Sequence, residues 1–491
     1  VPLRRLYLRG TVFKETAFRG AAFRGTAFRG TAFQETAFQE TAFQETAFKR
    51  ISFKGISFKG TSFKGTTFKG TVLFKYLGGK SLRNIVIDEL KASEVYRQRV
   101  EVVERKGLGH PDYICDAIME QISVKLSQKY LETFGNILHY NIDKGMLVAG
   151  EVEGKLGGGR VVSPMRLIIG DRATFEAQGI EIDVPELAVS TAQQWLRDNL
   201  RFVDPENLIY QIELKRGSAE LTDIFSRGKE ILGANDTSAA VGYAPLSPTE
   251  KLVFECERYL NSRKFKKEYP ESGEDVKVMG LRHREDMHLT VAMPLVDRFV
   301  ESEEAYFKKK IELHNRIEEF TAGFAEKARS EFEGCMCLKP TVSLNTLDIP
   351  GRGLQGIYTT VTGTSAEDAD GGQVGRGNRV NGIIPLNRPV SSEAAAGKNP
   401  VSHTGKVYNL LSHRIAAQIY SKVPDISEVY VWLLSEIGTP IDQPQIATAQ
   451  LIMKKGSASE VEKEVAEVME KELENIQAFS MELVAGKCPV C

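Results

Sequence analysis

Nineteen residues, Gly363 to Asn381, read GTSAEDADGGQVGRGNRVN and gather three kinds of chemistry in one stretch. The glycines let backbone amides approach an anion, Glu367, Asp368 and Asp370 offer carboxylates to a metal ion, and Arg376 and Arg379 can fork onto phosphate oxygens. Such a loop suits a polyphosphate held with a divalent cation. Two further stretches fit the same ligand. Gly109-His110-Pro111-Asp112 stands where a helix should begin, at the end of the helix dipole that favours anions, and Gly397-Lys398-Asn399-Pro400 opens GKNPVSHTGKVYN. Taken singly, each has a plainer reading. GHPD is also a turn whose His caps a helix, Lys277 in DVKVMGLR a solvated strand-edge lysine, Asp236 in GANDTS a turn aspartate, and Gly217 to Thr222 a helix start capped by Ser218. Trp195 and Trp432 read as core.

In company and in this order, from about Leu82 to about Gly456, the motifs resemble S-adenosylmethionine synthetase (methionine adenosyltransferase) in its divergent archaeal form. The resemblance implies an α+β fold of three similar α/β subdomains intertwined about a pseudo-threefold axis. It also implies a homodimer with active sites shared between subunits, ATP and L-methionine as substrates, and Mg2+ as the metal. Potassium is a second ion whose need the sequence leaves open. By match, His110 contacts the phosphate next to the breaking bond, Asp112 and Glu151 serve metal and monovalent-cation sites, and Lys277, Arg376 and Lys398 meet the tripolyphosphate. Glu104 and Asp236 fall to methionine, and Gly217, Ser218, Glu220 and Asp370 to the nucleotide. Gly377 stands where bacterial enzymes place a lysine, so Arg379 is the candidate to replace that charge; beyond Lys398 an insertion leaves Lys406 or His403 for the next basic position. The bacterial metal aspartate after it has no equivalent among Val407, Tyr408 and Asn409. Glu367 and Asp368 are second-metal candidates on chemistry alone.

The implied reaction is attack by the methionine sulfur on C5′ of ATP, expelling tripolyphosphate that is then cleaved to pyrophosphate and phosphate. A thioether has no proton to lose, so the demand is alignment and stabilisation of an anionic leaving group rather than a general base. Replacing Lys398 by alanine is therefore expected to slow turnover while leaving the fold intact. Two rivals are weaker. A ligase or phosphotransferase with a P-loop would show GxxxxGK followed by Ser or Thr, whereas Gly397-Lys398 is followed by Asn399. An interaction protein carrying a decayed enzyme domain would not keep the charged positions of all the motifs.

The elements that must position these residues follow from pattern. The chain has 491 residues, 42% hydrophobic and 26% charged, with formal net charge -1, as expected of a soluble enzyme. No apolar run reaches the roughly 18 residues of a membrane span, so a cytoplasmic location without membrane partners is expected. The six cysteines are too few for a disulfide scaffold; Cys335, Cys337, Cys488 and Cys491 would make a zinc site only if they met in space.

Residues 1–75 are fifteen five-residue units with Phe or Leu at each centre, a period that resembles the pentapeptide-repeat β-helix. Residues 1–80 carry 15 Lys and Arg against 4 Glu, but the charge is spread at a regular pentad position without a nucleic-acid-binding fold, so no nucleic-acid partner is expected. The units are nearly identical, the chain begins with Val, and enzyme-like sequence starts abruptly at Leu82; these favour a translated tandem DNA repeat, a mis-called gene start. Residues 76–81 are a linker by composition and 82–491 the enzyme. Within it, strands are expected at 99–106, 146–152, 161–169, 277–283, 289–296, 340–346 and 429–435. Helices are expected at 110–134, 185–198, 248–262, 302–331, 404–421 and 458–479.

Overall fold

The structure, a computed structural model, describes residues 7–8, 11–12, 83–217, 225, 231–331 and 338–491. The chain divides into two compact units, Val1–Leu82 and Arg83–Cys491. In the first, Tyr7–Leu8 pairs antiparallel with Thr11–Val12. That overturns the expected β-helix, whose successive coils stack in parallel; among the described residues no sheet closes or curls into a coil. The rest of the pentads lie outside the described residues.

The second unit has an α/β fold. Three sheets each carry their own helices. Four strands run in the order Ile209–Arg216, Arg166–Ala173, Asn141–Val148 and Gly372–Gln373, backed by helices Pro111–Phe134 and Val184–Asn199. Another four, Ala239–Ala244, Ile426–Leu434, Ile446–Met453 and Ile85–Glu89, are covered by Thr404–Lys422, Ala458–Glu474 and Ile476–Val484. Five, Lys339–Leu344, Asp286–Ala292, Lys277–His283, Val100–Lys106 and Ile384–Pro385, pack on Pro248–Leu260, Arg263–Glu268 and Glu303–Glu331. The sheets interleave in sequence, so no one of them is a continuous stretch of chain.

The helix Pro111–Phe134 does most to position the candidate site. His110 is its N-cap at φ -68°, ψ 133°, Pro111 takes the first turn where a missing N–H costs nothing, and Gly135 closes it at φ 71°. Ile114, Ile118, Ile122 and Leu126 are buried in one core, each contributing about 1.5–3 kcal/mol by leaving water. Burial extends around most of the helix, so Asp112, Asp116 and Glu120 also lie inside.

The glycine-rich loop is pinned at its middle and just beyond its end. Gly372–Gln373 is an edge strand on Asn141–Val148, and Ile384–Pro385 one on Val100–Lys106. A Cβ on Gly372 would lie 2.1 Å from the Pro111 carbonyl oxygen, so only glycine lets the loop press onto the helix start.

Two expectations need correction. The strands expected at 146–152 and 161–169 are each broken and make two separate pairings: Asn141–Val148 with Arg166–Ala173, and a ribbon of Glu151–Glu153 with Arg160–Ser163. The break falls at Gly150, whose N–H donates to the Ala366 carbonyl and where a Cβ would come 2.5 Å from the Ser163 carbonyl oxygen. The last helix divides at Asn475, which ends one helix and begins the next.

Candidate functional site

His110 and Asp112 are brought against the glycine-rich loop. Lys106 Nζ donates to Asp112 Oδ2 at 2.8 Å and to the Arg376 carbonyl at 2.8 Å, and Asp112 Oδ1 accepts from Gln373 N–H at 2.9 Å. The Asn378 side chain exchanges hydrogen bonds with the Lys106 backbone at 2.9 and 2.8 Å. One residue pair, Lys106 and Asp112, thus ties strand, helix and loop together. His110 Nδ1 accepts from Asp112 N–H at 3.2 Å. That leaves Nε2 to carry the proton of the neutral ring, and burial, opposed by Asp275, lowers the ring's pKa. Asp275 is itself held by Ser365, its Oδ2 taking the N–H at 2.9 Å and the hydroxyl.

Lys277 stands opposite Lys106 across neighbouring strands, and its Nζ lies 3.2 Å from Glu104 Oε1. Two ammonium groups therefore flank the helix start, each with one carboxylate.

A second cluster gathers about 12 Å further along the same helix, the rise from Asp112 to Glu120. Lys398 is buried with its ammonium on Asp143 and 3.8 Å from Glu393 Oε2. Burial alone would raise the Asp143 pKa, but Lys398 and Lys144 hold it below the usual carboxylate range. Lys406 Nζ reaches Glu120 Oε2 at 2.7 Å, the Lys398 carbonyl at 2.8 Å and Ser123 Oγ at 3.1 Å. His403 caps the helix Thr404–Lys422 by accepting the Gly405 N–H, and burial with Lys398 nearby pushes its pKa down to about 3. Among the described residues, Asp236, Glu393 and His403 are the one trio whose ligand atoms lie close enough, within 4.8 Å, to share a metal ion.

The remaining expected residues are placed as follows. Asp368 and Asp370 are exposed, the latter accepting its neighbour Gly371 N–H. Arg376 is exposed and its guanidinium has no carboxylate partner among the described residues. Arg379 is half-buried, donating to the Gly375 carbonyl at 3.5 Å while its Nε has no partner. Glu151 is exposed on its short ribbon. Gly217 follows the strand Ile209–Arg216, whereas Ser218, Glu220, Cys335 and Cys337 lie outside the described residues. Cys488 and Cys491 are free thiols.

Glu367 is corrected as a metal candidate. It is buried, and its oxygens accept Val361 N–H at 2.7 Å, Thr362 N–H at 2.6 Å and the Thr362 hydroxyl at 2.5 Å, clamping the turn that enters the loop. Burial pushes its pKa up to about 7. Glu367→Gln would set an amide against these donors and should cost about 1–3 kcal/mol of stability, read by thermal melting; an unchanged melting temperature would show that the clamp contributes nothing.

Sequence reasoning missed Lys106, Asp116, Glu120, Asp143, Asp275 and Glu393. For the helix acids a signal existed: Asp112, Asp116 and Glu120 recur every fourth residue, on one face of a helix whose apolar residues share that spacing.

The profile of the S-adenosylmethionine synthetase (AdoMet synthetase) family matches residues 83–487. The chain belongs to that family. Among similar curated proteins, the probable S-adenosylmethionine synthase of Aquifex aeolicus is 44% identical over 399 residues, covering 80% of this chain and 96% of its own. The S-adenosylmethionine synthase of Pyrococcus furiosus is 45% identical over 412 residues, covering 83% and 99%. A solved structure titled as an unusual S-adenosylmethionine synthetase from Campylobacter jejuni overlaps 77% of this chain and 89% of its own, with TM-score 0.46 and 13% identity. The family profile spans every sheet of the second unit. No helix among the described residues is long and apolar enough to cross a membrane.

Proposed function

We infer that the chain is an ATP:L-methionine S-adenosyltransferase, forming S-adenosylmethionine with hydrolysis of tripolyphosphate to pyrophosphate and phosphate. The observation that carries this is the family match over residues 83–487, within which one helix gathers GHPD, the glycine-rich loop and the GKNP loop. Each buried cation described above rests on a carboxylate, so an incoming triphosphate exchanges those partners for its own oxygens. Neutral His110 offers Nε2–H, Lys277, Arg376, Arg379 and Lys398 offer fixed positive charge, and Lys406 supports the GKNP turn from beneath. We assign Glu104 and Asp236 to methionine, Gly217, Ser218, Glu220 and Asp370 to the nucleotide, and Glu151 to a monovalent cation. Mg2+, when bound, would supply charge neutralisation on the phosphates; carboxylate oxygens are the donors it prefers, and we assign Asp112 to it. The Gly377 and post-Lys398 departures support placement in the divergent archaeal-type branch.

Incubation with ATP, Mg2+ and L-methionine tests the reading. Sulfonium product, pyrophosphate and phosphate should form equally and only with methionine; ATP cleavage without a sulfonium would overturn the substrate assignment. Deleting residues 1–81 should leave this activity unchanged, and its loss would give the repeat a role in the enzyme.

We also propose a homodimer in which the His110 cluster of one subunit faces the Lys398 cluster of the other. Co-expressing two inactive variants, His110→Ala and Lys398→Ala, should then restore activity, because mixed dimers contain one intact site. If each site came from a single chain, every site in the mixture would be damaged and no activity would return.

Turnover should change little from pH 7 to 9, by no more than about twofold, since no base is required and His110 is already neutral there. It should fall below pH 7, where Asp116, pushed up to about 7 by burial, takes a proton. The stability term has the opposite sign. A carboxyl with a raised folded pKa binds its proton more tightly when folded, so its contribution falls as pH rises from its unfolded value towards 7. A melting temperature that rises over that range in wild type relative to Asp116→Asn would contradict this.

A further inference from the structure

Three carboxylates on one face of the helix Pro111–Phe134 receive backbone amides from the phosphate loops. Asp112 takes Gln373 N–H, Asp116 Oδ1 takes Gly375 N–H at 2.8 Å, and Glu120 takes Gly397 N–H at 3.2 Å. The outer two are also ion-paired, to Lys106 and Lys406. Asp116 differs. It has no ion pair among the described residues, is 3% exposed, and lies with Oδ2 against the backbone of Gly377.

These two glycines flank Arg376. Gly375 is at φ +83°, a left-handed turn that glycine adopts without strain, and a Cβ on Gly377 would lie 2.3 Å from Asp116 Oδ2. A carboxylate held from the helix side therefore sets the turn from the loop side. We propose that Asp116 is the positioning residue for Arg376: it templates the Gly375–Gly377 turn so that the guanidinium is presented to the triphosphate without touching substrate itself. This rests on the transferase reading and on Arg376 meeting phosphate.

The test uses the full chain, with wild-type formation of S-adenosylmethionine measured first. Asp116→Asn keeps size and one acceptor but replaces the other with a donor facing an amide. Its kcat should fall about 10- to 100-fold, as a misplaced charge does, with a smaller change in the KM for methionine. In an Arg376→Ala background the same substitution should cost less than about threefold, because residues acting as a unit are not additive. Gly377→Ala, which disturbs the contact from the loop side, should reproduce the pattern if Asp116→Asn fails to fold. Wild-type kcat in Asp116→Asn, or the full loss repeated in the Arg376→Ala background, would overturn the assignment. If wild type itself forms no sulfonium product, it is the transferase reading that fails.

Discussion

Replacing Lys398 by alanine should reduce kcat for S-adenosylmethionine formation by about two to three orders of magnitude, the scale seen when one preorganised charge is removed from a developing anion. The lysine is buried, so its charge acts through protein rather than through water, and its position is fixed by Asp143 and Glu393. The structure also revises what the sequence suggests about the fold. Asp143 would be left buried without Lys398, and breaking such a pair costs about 3–5 kcal/mol, towards the lower end here because Lys144 also contacts Asp143. Lys398→Ala should therefore melt earlier as well as turn over slowly. Adding Asp143→Asn should restore much of the melting temperature and none of the turnover. Wild-type turnover in Lys398→Ala would remove the residue from the site.

His110→Ala should lower kcat by a similar factor, about 100- to 1000-fold, and again two effects must be separated. The ring caps a helix of 24 residues through Nδ1, a contribution of about 1 kcal/mol, and leaves Nε2 to carry the proton. His110→Ser supplies another capping oxygen in place of the ring but no donor at that distance. Its melting temperature should return to near wild type while kcat stays low. If His110→Ser recovered turnover too, the histidine would be a cap and nothing more. Because the proposed role is a neutral donor, neither variant should alter the shallow profile between pH 7 and 9; a new titration there would point to proton transfer.

Much of this arrangement was readable before the fold was known, for local reasons. A His-Pro-Asp sequence before an apolar run marks a helix start, and the strand Asp286–Ala292 alternates polar residues with buried Met287, Leu289 and Val291 as its sequence does. What was not readable is long-range. Lys398 and Asp143 are 255 positions apart, Lys106 and the Arg376 carbonyl 270, and the partner of each is fixed only by which strands and helices meet. Glu367 was misread for the same reason. A carboxylate in a glycine-rich loop looks like a ligand until the backbone amides that occupy it are known. The long-range sheet edges were equally hidden, since Gly372–Gln373 and Ile384–Pro385 are too short to show a period. The β-helix expectation failed because a five-residue period fixes no strand direction, and the described strands there run antiparallel.

The sheet that joins Ile85–Glu89 to Ile446–Met453 has a bearing on how the protein is born. These strands run parallel, with Ile85 beside Ala447, and Arg83 is held by Asp442 and Glu470. At about 5–20 residues per second, roughly 20 to 70 seconds separate their emergence from the ribosome. For that interval the first strand has no partner in its own chain, and the helix that covers it, Ala458–Glu474, does not yet exist. Nascent chains halted before Ile446 would keep that unpaired edge, the feature that chaperones bind and aggregates recruit, so the last stretch of translation also closes the enzyme's opening strand.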